Sequence, residues 1–84
     1  MNWQKFSNVK PSLNKDLVIW MRGDPYYGKR FLHNGMDLVA ICTAYCSIKS
    51  NDPQVLLKNT VPILLSEISR PDEDYQWGYF KKPE

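Results

Sequence analysis

Residues 29–46 read Lys-Arg-Phe-Leu-His-Asn-Gly-Met-Asp-Leu-Val-Ala-Ile-Cys-Thr-Ala-Tyr-Cys, and the assignment of this stretch decides the fold. Asn34-Gly35 stands near its centre. A two-residue type I′ turn needs positive φ at both positions, and Asn-Gly meets that need with little strain, so the pair predicts a β-hairpin. Lys29–Leu32 is then one strand and Leu38–Cys46 its partner. The competing assignment is helical: Leu38, Ile41, Cys42 and Tyr45 fall at i, i+3, i+4 and i+7, an apolar stripe that Asn34 would cap. Strand is preferred, because Val39, Ile41, Thr43 and Tyr45 are all β-favouring and share one face.

Upstream, Leu17-Val-Ile-Trp-Met21 is β-branched and aromatic and apolar on both faces, which predicts a central strand with Trp20 buried. Arg22–Gly28 contains two glycines and a proline and predicts a loop. Farther back, residues 3–9 read as an extended segment anchored by Trp3 and Phe6, followed by a turn at Pro11–Asn14. Downstream, Asp52-Pro53 marks a helix start, a capping carboxylate followed by proline at the first helical position. Pro62 has no N–H and forbids one straight helix across Pro53–Ser69. A short helix, a break and a second helix ended by Pro71 are expected, then an aromatic strand over Tyr75–Phe80. The whole predicts a single α+β domain over residues 1–84. Its mainly antiparallel sheet has three to five strands, with one or two short helices on one side.

A chain of 84 residues has room for one hydrophobic core. Its hydrophobic content of 43% and its aromatic content of 13% exclude a disordered polymer. So small a body cannot cover every aromatic ring, and some are left for a binding surface. Net charge is +2, with the basic excess in the N-terminal half. A dedicated nucleic-acid module is usually more lopsided, and an acidic DNA mimic is excluded. No apolar run approaches the roughly 18 residues of a membrane helix. The first residues lack the apolar core of a signal peptide, so a cytoplasmic protein with reduced Cys42 and Cys46 is expected.

Catalytic chemistry has little to start from. His33 is the only histidine and sits beside the predicted turn, away from any carboxylate or serine at a useful spacing. Cys42 and Cys46, four apart, read as buried structural thiols, and a zinc site would need more ligands than they offer. Arg22-Gly23-Asp24 is a turn after a strand, and Asp72-Glu73-Asp74 a solvated loop. The glycines do not form a phosphate-binding loop. These features point to a non-enzymatic protein with no catalytic, cofactor or metal residues.

One segment carries more. Tyr26 and Tyr27 lie in the expected Asp24–Arg30 loop, flanked by Arg22, Lys29 and Arg30. Tyrosine with arginine on a loop is the composition of interface hot spots and also of single-strand nucleic-acid platforms. These five residues are the candidate partner-binding site.

Trp3-Gln-Lys-Phe6 followed by Pro11, the Leu17-Val-Ile-Trp20 strand, Ala44-Tyr45, and Trp77 shortly before Pro83 form a spaced pattern. The pattern resembles short phage- and prophage-encoded domains of unknown function, although residues 47–71 depart from it. The resemblance implies an accessory or anti-defence protein that blocks a host protein or nucleoprotein complex, such as a CRISPR effector. It transfers no catalytic residue. The alternative is a small nucleic-acid-binding module using the N-terminal basic residues and exposed aromatics.

Overall fold

In the computed structural model, which describes residues 2–81, the chain runs through strands β1 (Gln4–Lys5), β2 (Asp16–Met21), β3 (Asp24–His33) and β4 (Met36–Cys42). A 3-10 turn (Tyr45–Ile48) leads to helix α1 (Pro53–Asn59), strand β5 (Val61–Leu64), helix α2 (Leu65–Ile68) and strand β6 (Gln76–Tyr79). The strands form one sheet in the order β1-β6-β2-β3-β4-β5, with every neighbouring pair antiparallel. Asn34 and Gly35 take φ of 50° and 76° and join β3 to β4 as the hairpin turn requires. Strand, not helix, therefore holds through Cys42. Beyond it the chain leaves the sheet, and Tyr45 begins the 3-10 turn rather than extending the strand.

Side chains alternate across the sheet and build two cores. On one face Leu17, Ile19, Val39, Ile41 and Trp77 pack with Phe6 and with Leu65 and Ile68 of α2. On the other, Phe31, Leu38 and Ala40 pack with Ile48 and with Leu56 of α1. Gly28 sits between Leu17 and Ile41 in register. A Cβ there would meet the Ile19 side chain and lie 2.8 Å from the Ala40 carbonyl oxygen, so the close approach of β2, β3 and β4 requires glycine.

The structure corrects several expectations. The sheet has six strands, not three to five, and its two helices lie on opposite faces. Arg22–Gly28 is not a loop: only Arg22 and Gly23 turn, with φ of 53° and 84°, and β3 begins at Asp24. Arginine in a left-handed position gives no sequence signal for the hairpin that forms there. Pro62 lies within β5 instead of breaking a helix, because an edge strand tolerates a residue without an N–H. Helix α1 begins where Asp52 predicted, its Oδ1 accepting the Gln54 N–H at 3.0 Å. Cys42 is half-buried and Cys46 exposed, both free, because the strand ends between them. Trp20 is 40% exposed. Its side of β2 faces away from α2, and α1 with the 3-10 turn packs chiefly on β3 and β4, reaching β2 only at Asp16, the end far from Trp20.

Candidate binding face

Alternation along β3 separates the residues expected to act together. Tyr26 and Arg30 point to the α2 side, Tyr27 and Lys29 to the α1 side, and Arg22 stays on the β2–β3 turn. Tyr26 is half-buried and packs against the first core. The Arg30 guanidinium is bound by both Asp37 carboxylate oxygens, at 2.9 and 2.7 Å, and by the Pro11 carbonyl at 2.7 Å. Lys29 is only 2% exposed. Its amine donates to Asn51 Oδ1 at 2.9 Å and the Ser50 carbonyl at 3.2 Å, and pairs with Asp16 Oδ1 at 3.2 Å. Of the five, only Arg22 offers an exposed cationic head, so they do not form one surface.

Two of them, Tyr27 and Lys29, border a different surface: the α1-side face where it runs out over β2, β6 and β1. Trp3 just before β1 and Trp20 on β2 stand there 41% and 40% exposed, with ring centroids 6.3 Å apart and planes at 61°. Val18, half-buried, and Gly78 opposite it form the floor beside them. Next along β2, Tyr27, Tyr45 and Phe80 make a three-ring cluster with centroid separations of 5.0–5.7 Å. The segment between β4 and α1 crosses β2 only at its Asp16 end, where Tyr45 meets Asp16 and Phe80, so it leaves the Trp3–Trp20 end open.

At the opposite end of β2 the face opens into a cleft of about 670 Å³ lined by Lys15, Lys29, Lys49 and Lys81, with Asp16 as its only carboxylate among the described residues. Asp16 is already engaged: it pairs with Lys29 and accepts the Tyr45 hydroxyl at 2.7 Å. That hydrogen bond pushes the Tyr45 phenol above its ordinary pKa, since ionising it would discard the bond and place two anions together. Lys15, Lys49 and Lys81 make no ion pair among the described residues. The Lys49 ammonium lies 5.5 Å from the Tyr45 ring centroid, a cation–π contact that leans the charge toward the aromatic cluster. Across the cleft the Tyr79 hydroxyl accepts the Ser12 N–H at 3.0 Å and lies 3.2 Å from Ser12 Oγ. These hydrogen bonds to Ser12, with a smaller contribution from Lys15, hold the Tyr79 phenol below its usual value. The cleft thus has a positive field that its own carboxylate does not cancel.

Nothing in the local sequence around Lys15, Lys49 or Lys81 marked them as neighbours. The β2–β6 register brings Lys15 and Lys81 together, and the bonds of Tyr45 to Asp16 and of Lys29 to Asn51 seat the Lys49 segment beside them; neither is visible in any single segment. Trp3 and Trp20 were visible as aromatics, but their shared face was not. His33 lies at the far end of β3, 3.2 Å from the Asn34 side chain. Among the described residues no group of three or more His, Cys, Asp and Glu side chains converges as a metal site would require. No helix among the described residues is long and apolar enough to cross a membrane. The chain matches no family model, no curated protein and no solved structure.

Proposed function

We propose that this protein is a non-enzymatic binding module that captures an anionic partner on the uncovered half of its sheet. One observation carries this: a cleft with four lysines and one fully engaged carboxylate opens onto the same face as two exposed tryptophans. The overall charge of +2 understates the local field, because four lysines line the cleft beside a single described carboxylate, Asp16. Exposed indoles supply contact area, and uncancelled lysines steer a negatively charged surface toward them. An accessory or anti-defence setting, with a host nucleoprotein complex as the partner, rests on the phage-domain resemblance and agrees with a polyanion-binding face. The free thiols Cys42 and Cys46 support a cytoplasmic setting.

Immobilised heparin tests the electrostatic half of the proposal. Wild type should be retained and elute with salt, and the Lys15→Ala/Lys49→Ala/Lys81→Ala variant should elute distinctly earlier. A control that removes equal charge elsewhere, Lys10→Ala/Lys58→Ala/Arg70→Ala, should elute close to wild type. If the two variants elute together, the cleft is not the anion site.

A further inference from the structure

We infer that the anionic partner is a single strand of nucleic acid, its phosphates in the lysine cleft and its bases on Trp3 and Trp20. This rests on the anionic-partner reading and narrows it. Asp16 and Trp20 are four residues apart on one face of β2, about 13 Å at strand rise, so cleft and indole pair sit at the two ends of one strip. Between them lie Val18 and the Tyr27–Tyr45–Phe80 cluster, a continuous apolar and aromatic floor. Charge at one end of the strip and π-faces at the other match a polymer that alternates phosphates with flat rings.

A duplex fits this surface poorly. Its bases are stacked on one another and present only edges, whereas rings lying on a sheet need exposed base faces. Single-strand platforms combine these two components, a basic groove for the backbone and aromatic side chains for successive bases. An acidic protein fits less well than a strand, because lysine is depleted in protein–protein interfaces while three uncancelled lysines are the main feature of this cleft. A strip of about 13 Å takes only two or three extended nucleotides, below the roughly 4–16 that a full single-strand-binding fold covers. Recognition would be tolerant of sequence, since every base has a π-face.

The test is a titration of the intact protein with a thymidine oligomer of about eight nucleotides, read by intrinsic tryptophan fluorescence over a series of salt concentrations. Parallel arms use a duplex of equal length and poly-glutamate. Saturable quenching is expected with the single strand, with weaker binding of both other polymers. Three lysine contacts give a slope of log K against log salt of about −2. The Trp3→Ala/Trp20→Ala variant lacks the reporting indoles and is compared with wild type by the anisotropy of a fluorophore-labelled oligomer; it should bind at least about fivefold more weakly, with its salt slope and heparin retention unchanged. The wild-type quenching and slope need no variant, so a variant that failed to fold would leave the test intact. Equal or tighter binding of duplex or poly-glutamate overturns the inference. Heparin retention at the cleft without oligomer binding also overturns it and leaves the anionic-partner reading standing. Loss of both removes both.

Discussion

Replacing Lys29 by methionine keeps the volume and the aliphatic stem of the side chain and deletes only the ammonium. That ammonium fastens three pieces of chain: Asp16 on β2, and Ser50 and Asn51 in the segment leading to α1. Without it, the Ser50 carbonyl and the Asn51 side chain lose a charged donor, and Asp16 keeps only Tyr45. A hydrogen bond from a charged group contributes about 1.5–3 kcal/mol, and removing one partner of a buried ion pair costs about 3–5 kcal/mol. These terms overlap and cannot be added. The Asp16 side chain is 26% exposed and Asn51 is exposed, so water recovers part of the loss and the lower range applies. Lys29→Met is therefore expected to cost about 2–3 kcal/mol, out of a total near 4–12 kcal/mol for a domain of this length. Urea unfolding followed by far-UV circular dichroism measures it, the midpoint falling at unchanged slope. In a double-mutant cycle, Asp16→Asn should cost less on the Lys29→Met background than on wild type. A loss under about 0.5 kcal/mol, or a gain, would refute the reasoning, showing that burying the charge costs as much as its three contacts return.

Gly28→Ala should destabilise by at least about 2 kcal/mol in the same assay, because the added carbon meets the Ile19 side chain and the Ala40 carbonyl; a neutral result would mean that β2 and β3 can separate at no cost. Cys46 should react with a thiol reagent well before Cys42, which is less exposed and whose thiol is pushed above its ordinary pKa chiefly by burial; equal rates would contradict the placement of the 3-10 turn.

Local chemistry made the hairpin and helix starts legible. Asn34-Gly35 and Asp52-Pro53 each satisfy a backbone requirement within two residues, so no distant contact is needed to recognise them. The β2–β3 turn was hidden because Arg22 occupies a conformation usually reserved for glycine or asparagine. Pro62 was misleading because its tolerance depends on β5 lying at the sheet edge, which only the complete strand order reveals. Trp20 shows the same limit in another form. Its strand was plain, but its exposure depends on how far α1 and the 3-10 turn reach across the opposite face. The expected site dissolved through one shift: reading Asp24–Arg30 as strand sends adjacent side chains to opposite faces. The lysine cleft, drawn from four separate segments, had no local signature.

The three indoles offer the most direct test of the binding face. Trp3 and Trp20 lie on it, whereas Trp77 is buried in the opposite core with its Nε1–H donated to the Val9 carbonyl at 2.9 Å. In a ¹H–¹⁵N spectrum of the native protein, each indole N–H gives its own cross-peak. Titration with the thymidine oligomer should shift the Trp3 and Trp20 peaks and leave Trp77 in place. Binding that moves Trp77 alone, or that leaves the Trp3 and Trp20 peaks where they were, would contradict the account.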